Sequence, residues 1–349
     1  MLNKLYTQAD FLNLTSDDIN KIKEMLEIEV PDEIDDYEYL YKNINIIEAN
    51  CDANKIVSEK ILAGQLSVKW FKYRYYDEFK KEDLINRLES EELGYNTNIE
   101  DRISLNIKNG IFSIVKNENI YTLKAFISDG YKRINNGIES RREPVVKSII
   151  IKIDIDNCWI EIRGNEEKCK KINKILEANL GIRNIKEISV LNNYKNINDL
   201  KDSLVNGFYL KYKAIPSEEI ELTEDDGVAI GTIVKLIDGY FNDKNHKKLL
   251  DSLEELDYDT EGLSLSSILL AGIDNVGMKI RNNSERDVSK QSLYTILKDD
   301  LIEDSSYIRF SIIPNGVQYT MQVGIKTNSI VFRSSVTEEV INYIRNKVI

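Results

Sequence analysis

The chain has 349 residues, of which 42% are hydrophobic and 30% charged, with 4 prolines and 16 glycines. This length allows two or three domains of about 150 residues each, and the composition excludes a disordered or fibrous protein. The formal net charge is −12, from 47 basic and 59 acidic residues, so the summed field repels polyanions unless basic side chains gather on one face. Nucleic-acid binding by the whole surface is therefore disfavoured, whereas a local basic groove remains open.

Cysteine usage and the distribution of apolar residues bear on location. Cys51, Cys158 and Cys169 are too few and too widely spaced for a disulfide framework or a paired zinc site, which favours a reducing, cytoplasmic compartment. No run of about 20 apolar residues occurs and the N-terminus lacks a signal-peptide core, so we expect neither secretion nor a membrane span. Frequent Ile, Asn, Lys and Tyr, all encoded by AT-rich codons, indicate a low-GC bacterium or its phage.

Residues 1–95 are predicted to be mostly helical. The cluster Thr15 to Asp18 is typical of an N-cap, and it precedes apolar residues at helical spacing that continue until Pro31. A second helix is predicted over 52–63 and a third from about Lys81.

Residues 96–205 are predicted to form an α+β middle domain. From about Ile99 apolar residues alternate in short runs separated by Asn and Gly, and Asn109-Gly110 is a strong hairpin signal. The predicted elements are strands at 103–107, 112–115, 148–155, 158–163 and 185–191, with a helix between Gly164 and Gly181.

Residues 206–349 are predicted to form an α+β C-terminal domain ending in a β-meander and a helix. Ser335 and Glu338 have the spacing of a capping box for that final helix. The other predicted elements are a strand at 208–213, a helix from Thr223 to about Ile237, and strands at 307–313, 317–325 and 329–333. The predicted fold class is α+β: a helical N-terminal region, then largely antiparallel sheet units with packed helices.

The densest aromatic and cationic run is Val68 to Tyr76. In a strand, one face of this run would mix stacking surface with positive charge through Trp70, Lys72, Arg74 and Tyr76. Such a face suits single-stranded nucleic acid, because bases stack on aromatic rings at about 1–3 kcal/mol each while cations contact phosphates. The predicted nucleic-acid-binding residues are therefore Lys69, Trp70, Lys72, Arg74 and Tyr76, together with Arg141 and Arg142.

Each part of that prediction has a structural alternative. An edge strand at 68–76 would bury its rings and lay its Lys and Arg stems along them. The second basic cluster, Lys132-Arg133 with Arg141-Arg142 around Gly137, would extend a binding groove, or else belong to a solvated loop.

Carboxylates in the predicted hairpin at 148–163 offer an enzymatic alternative. Asp154 and Asp156 lie two residues apart, with Glu161 across the turn, and clustered carboxylates can hold Mg²⁺ and activate water for phosphodiester hydrolysis. The order resembles an Asp, then Glu-x-Lys nuclease pattern with Arg163 at the lysine position, but the spacing from Asp156 to Glu161 is short. An ordinary hairpin, with Asp-Asn as its turn, also accounts for these residues.

Other reaction classes lack their residues. The single histidine, His246, stands in a polar segment with no nucleophile elbow around it, and neither a phosphate-binding P-loop nor a Gly-x-Gly-x-x-Gly fingerprint occurs. The acidic runs 31–36 and 218–226 are typical of solvated linkers or helix starts, or of surfaces that receive a basic partner.

The sequence therefore predicts a non-enzymatic binding protein without cofactor or metal. We expect a subunit or accessory of a multi-component bacterial or phage assembly that associates with nucleic acid, in the setting of phage and host conflict. A protein partner or a homo-oligomer is expected, and no membrane. Two alternatives remain: a divalent-metal-dependent nuclease using Asp154, Asp156 and Glu161, and a pure protein-interaction subunit.

Overall fold

The computed structural model describes residues 2–99, 109–135, 137, 139–216, 224–254, 270, 276–279, 287–298, 301–302 and 308–349. The chain groups into two compact units, Met1–Gly207 with Phe310–Ile349, and Phe208–Arg309. The sequence predicts three domains, 1–95, 96–205 and 206–349, each of which would fold independently. Compactness does not test independent folding, so that division stays a prediction.

Helices and strands occur in separate runs along the described residues, and the strands pair largely antiparallel, which confirms the predicted α+β class. The helices are α1 (Gln8–Phe11), α2 (Ser16–Leu26), α3 (Asp36–Lys42), α4 (Ile44–Ala49), α5 (Cys51–Leu62), α6 (Lys81–Leu88), α7 (Glu166–Leu180), α8 (Ile197–Ser203), α9 (Glu224–Asp243), α10 (His246–Glu254), α11 (Ser292–Leu297) and α12 (Glu338–Val348). The strands are β1 (Ser67–Lys72), β2 (Gly110–Asn117), β3 (Ile120–Asn135), β4 (Ser140–Asp154), β5 (Trp159–Ile162), β6 (Lys186–Glu187), β7 (Phe208–Pro216), β8 (Val276–Lys279), β9 (Leu301–Ile302), β10 (Ile308–Ile312), β11 (Tyr319–Gly324) and β12 (Ser329–Phe332).

The N-terminal helices begin and end at local capping residues. Thr15 accepts a hydrogen bond from the backbone N of Asp18 at 3.2 Å, and the Asp18 carboxylate accepts one from the backbone N of Thr15 at 2.9 Å. This reciprocal pair satisfies donors that a helix start leaves free. Glu27, in the left-handed region at φ 52°, ends α2. The helices predicted from these signals, α2, α5 and α6, are confirmed.

The sheet of the first unit has the strand order β2-β3-β4-β5-β1-β12-β11-β10, with β6 beside β1. The pairs β2–β3, β3–β4, β4–β5, β5–β1, β1–β12 and β12–β11 are antiparallel. The predicted hairpin at 148–163 is confirmed, with Asp154 opposite Trp159 at its turn. The predicted strand at 185–191 is shorter, since only β6 pairs there, and the predicted strand at 103–107 lies outside the described residues.

Helices cover both faces of this sheet. Ile149, Ile151 and Ile153 of β4 lie in a core with α6 and α7, whereas Ile150, between them in sequence, packs with the N-terminal helices. Alternate residues of a strand point to opposite faces, so β4 is buried on both sides and its polar residue Lys152 shares the face of Ile150.

The C-terminal strands and α12 form the predicted meander and helix, but the cap differs from the prediction. Thr337, not Ser335, accepts the hydrogen bond from the backbone N of Val340 at 3.4 Å. The side chain of Glu338 is then free to reach across to the sheet, where it meets cations described below.

The second unit contains its own strand pairs and helices. β7 pairs antiparallel with β8 and with β9, which confirms the strand predicted at 208–213. The ring centroids of Tyr212 and Tyr294 lie 5.0 Å apart at an edge-to-face angle of 87°. α9 matches the helix predicted after Thr223, although Thr223 lies outside the described residues. Among the helices that the structure describes in either unit, none is long and apolar enough to cross a membrane.

Candidate nucleic-acid interface

The side chain of Trp70 lies inside the first unit. It stands on β1 with 0% of its surface exposed. Its indole Nε1 donates a hydrogen bond of 3.0 Å to Glu161 Oε2, on the residue opposite it in the β1–β5 pair. A buried ring whose N–H is already paired offers no face to a nucleic-acid base. Trp70 is therefore a core residue, but its strand is not the edge strand of the structural alternative, because β1 pairs with β5 on one side and with β12 on the other.

The other residues at 68–76 that were predicted to bind nucleic acid do not share one strand face, because β1 ends at Lys72. Lys72 and Arg74 are exposed, whereas Tyr76 is half-buried. Lys69 is 3% exposed and forms an ion pair of 2.5 Å with Glu187. The stretch thus presents two exposed cations without the mixed aromatic face expected from strand alternation. Nucleic-acid contact by Lys72 and Arg74 stays a prediction.

A buried ionic network lies behind Trp70 and joins α12 to the sheet. Arg163 Nη2 lies 2.8 Å from Glu161 Oε1 and 3.0 Å from Glu338 Oε2. Lys152 Nζ lies 2.6 Å from Glu338 Oε2. Arg345 Nη1 lies 3.2 Å from Glu161 Oε2. The side chains of Glu161, Arg163 and Arg345 are each at most 9% exposed, so these pairs interact with little screening by water.

Burial and charge have opposite effects on the Glu161 carboxyl in this network. Burial alone would raise its pKa, but the charges of Arg163, Lys152 and Arg345 hold the pKa below its ordinary value. Each oxygen of Glu161 and of Glu338 accepts from a cation. Carboxylates engaged in this way fix α12 to β4 and β5, and they are not arranged to hold a metal ion or accept a proton from a substrate.

Glu338 makes the stability of this unit depend on pH. Burial raises its pKa, but Arg163 and Lys152 outweigh burial and lower the pKa from 4.5 to about 2. Because the folded-state pKa is depressed, the stabilisation is fully present above about pH 4.5 and is lost as pH falls towards 2. At ~1.4 kcal/mol per pKa unit it amounts to about 3 kcal/mol.

Urea unfolding of the wild type and of Glu338→Gln at pH 6 and pH 3 measures this effect. We expect the wild type to lose more unfolding free energy between the two pH values than Glu338→Gln does. Glu339→Gln, at the exposed neighbour on the same helix turn, should keep the wild-type pH dependence. Equal pH dependence of Glu338→Gln and wild type would contradict the assignment.

The carboxylates of the alternative nuclease site belong to separate structures. The Asp154 carboxylate accepts hydrogen bonds from the backbone N of Asp156 at 2.9 Å and of Asn157 at 2.8 Å, which closes the β4–β5 turn. Asp156 forms an ion pair with Lys81, and Glu161 lies in the ionic network. In the described part of the chain no group of three or more His, Cys, Asp or Glu side chains is placed to hold a metal ion. The nuclease alternative stays a prediction.

The outer parts of β3 and β4 form a two-stranded ribbon, residues 128–135 and 140–147. β2 pairs with β3 as far as Phe126, and β5 pairs with β4 from Ile151 onward. Beyond these points β3 and β4 stay paired with each other as far as Asn135 opposite Ser140. The interpretation of this segment as a solvated loop was wrong, because the basic residues lie on paired strands on either side of the turn near Gly137.

One face of the ribbon combines an aromatic ring with two guanidinium groups. Arg133 lies directly opposite Arg142, and Tyr131 shares their face because it lies two residues from Arg133. The Arg142 guanidinium carbon stands 5.4 Å from the centroid of the Tyr131 ring, a cation–π distance. Tyr131 is 66% exposed. Among the described residues no carboxylate pairs with Arg133 or Arg142.

The opposite face of the ribbon also carries positive charge. Lys132 is opposite Glu143, and Arg141 is opposite Ile134. Arg141 forms an ion pair of 2.7 Å with Glu143, but its side chain is 77% exposed, so the pair contributes little and leaves the guanidinium accessible. The predicted residues Arg141 and Arg142 thus lie on opposite faces of the same strand.

Sequence reasoning selected Arg141 and Arg142 but missed Tyr131. The available signal was a ring directly before Lys132-Arg133, facing a second Arg pair across an Asn-Gly turn. That arrangement is the pattern of a basic hairpin with one aromatic residue on its face.

Similarity to known proteins adds no candidate residue. No model of a known protein family matches the sequence, and no curated protein is significantly similar to it. The single histidine, His246, is exposed at the start of α10 with its ring centroid 6.0 Å from that of Tyr240. The functional argument therefore depends on the geometry of the ribbon.

Proposed function

We propose that this protein is a non-enzymatic, nucleic-acid-associated subunit or accessory of a larger bacterial or phage assembly, and that the ribbon makes the contact. The proposal depends on one observation, the exposed pair Arg133 and Arg142 beside Tyr131. Like charges directly opposite each other destabilise a strand pair. An anion between the two guanidinium groups removes that cost, and a phosphate backbone supplies such anions in series.

The local charge of the ribbon supports the proposal against the acidic total. Residues 128–147 contain five Lys or Arg and three Asp or Glu, whereas the whole chain has a net charge of −12. The ribbon is therefore a positive segment on a negative protein, which can orient an approaching polyanion towards it.

Location and partners are part of the same proposal. The three cysteines are free thiols, which suits a reducing cytoplasm. A protein partner or a second copy of the chain would complete the assembly, and conflict between phage and host is the setting proposed for it.

Removing the arginine pair tests the proposed function. We expect Arg133→Ala with Arg142→Ala to weaken binding of labelled DNA at least about tenfold, since contacts of this kind contribute ~1–3 kcal/mol each. The slope of log affinity against log salt should fall by about 2, one for each lost phosphate contact. Fluorescence anisotropy between about 50 and 200 mM salt measures both quantities.

Two matched variants complete this experiment. Lys21→Ala with Arg183→Ala removes the same charge from exposed positions outside the ribbon, and it should leave the affinity within about twofold. Lys72→Ala with Arg74→Ala tests the stretch at 68–76. If that variant loses affinity and the ribbon variant does not, the contact belongs to 68–76 and the ribbon assignment is wrong.

A further inference from the structure

We infer that the ribbon enters the major groove of B-form duplex DNA, an inference that rests on the proposed function and names its ligand. In the part of the chain that the structure describes, neither β2 nor β5 pairs with the ribbon: β2 begins at Gly110, opposite Phe126, and β5 pairs with β4 from Ile151 onward. Residues 100–108, which precede β2, lie outside the described residues. A two-stranded antiparallel ribbon is one of the two protein elements that a groove about 12 Å wide admits.

The dimensions of the ribbon match that groove. From Tyr131 to Asn135 the chain makes four residue steps, which span ~14 Å at about 3.4 Å per residue. The two backbones lie about 4.8 Å apart, so the pair with its side chains is narrow enough to lie between two phosphate walls. The major groove of A-form RNA is too narrow for it.

The charges lie on both faces of the ribbon, and this distribution favours a duplex over a single strand as the ligand. Arg133 and Arg142 point to one side, and Lys132 and Arg141 point to the other, which also carries Glu143. A ribbon in the groove turns one face to the base edges, and the long Lys and Arg side chains of its other face reach back to the phosphates at the groove rims. A platform for a single strand needs its rings and cations on one face only.

The edges of the ribbon discourage the rival interaction, in which another protein adds a strand. Pro144 on β4 has no backbone N–H to donate. On β3 the register shifts between Ser128 and Tyr131, and Gly130 there has φ +87°, so the strand bulges. Bulges and edge prolines are the features that block strand addition. The ribbon therefore acts through its side chains.

The experiment compares one DNA sequence as duplex and as single strand, together with the equivalent RNA duplex. We expect the full chain to bind the DNA duplex at least about tenfold more tightly than either other ligand. Arg133→Ala with Arg142→Ala and Lys132→Ala with Arg141→Ala should each weaken duplex binding about tenfold and lower the salt slope by about 2. Lys21→Ala with Arg183→Ala is the charge-matched control, and thermal unfolding confirms that each variant folds.

The outcomes separate the two proposals. Tighter binding of the single strand, or dependence on Arg133 and Arg142 without Lys132 and Arg141, would overturn the groove inference and leave the proposed function in place. Equal affinity for the RNA and DNA duplexes would also overturn it. Absence of binding to all three ligands at about 50 mM salt would overturn both, and would favour the pure protein-interaction subunit.

Discussion

Replacing Glu161 with glutamine is expected to lower the free energy of unfolding by about 3–5 kcal/mol, the cost of breaking a buried ion pair by removing one partner. Glu161 is fully buried and accepts from Arg163 and Arg345. Without its charge, the carboxylate of Glu338 would stand alone among three cations of the network. Those cations are already desolvated in the folded protein, so the substitution lowers the stability of the folded state relative to the unfolded state.

Urea unfolding followed by tryptophan fluorescence reports this loss directly. The chain has two tryptophans: Trp70 donates to Glu161, and the Trp159 ring lies 4.3 Å from the Arg345 guanidinium carbon. Adding Arg345→Met should recover part of the loss because it removes one unpaired charge. Glu167→Gln, at an exposed ion pair on α7, is the control and should change stability by less than about 0.5 kcal/mol. A loss below about 1 kcal/mol in Glu161→Gln would show that the network does not stabilise the fold.

Elements whose signals are local could be predicted from the sequence. The helix α7 begins at Asn165, which accepts from the backbone N of Lys168, and ends at Gly181 with φ +70°. The turn between β4 and β5 forms where Asp-Asn occurs. In each case the deciding contacts connect residues no more than a few positions apart, so the residue types themselves contain the information.

The ionic network could not be predicted, because its partners are distant in sequence. Trp70 and Glu161 are 91 residues apart, and Arg163 and Glu338 are 175 apart. Alternation places a polar residue on one face of a strand but does not say whether that face meets water or a helix. Glu161 therefore had the pattern of sheet surface or of a metal ligand, whereas α12 and the N-terminal helices bury it.

The ribbon was misread for a different physical reason. Gly130 and Pro144 are signals for turns and edge strands, and they interrupt the alternation in β3 and β4. A long hairpin tolerates both residues at edges where no described neighbouring strand needs their hydrogen bonds. The charges were recognised, but their division between two faces follows only once both segments are known to be strands.

Replacing Trp70 with alanine is expected to destabilise the first unit by about 3–5 kcal/mol without changing how the folded protein binds DNA. The ring is 0% exposed, so the substitution leaves a large cavity and removes the donor to Glu161. Circular dichroism during urea unfolding measures the stability. Anisotropy, carried out where the variant is still folded, measures the affinity.

Tyr131→Ala is the matched variant, because it removes an exposed ring instead of a buried one. Because the Tyr131 ring is 66% exposed, the stability of the variant should stay within about 0.5 kcal/mol of wild type. Its DNA affinity should fall several-fold to about tenfold, because the ring beside Arg142 is lost. The two substitutions should therefore separate stability from binding. If Trp70→Ala instead reduces affinity at unchanged stability, the ring is accessible to ligand and the binding face lies at 68–76 after all.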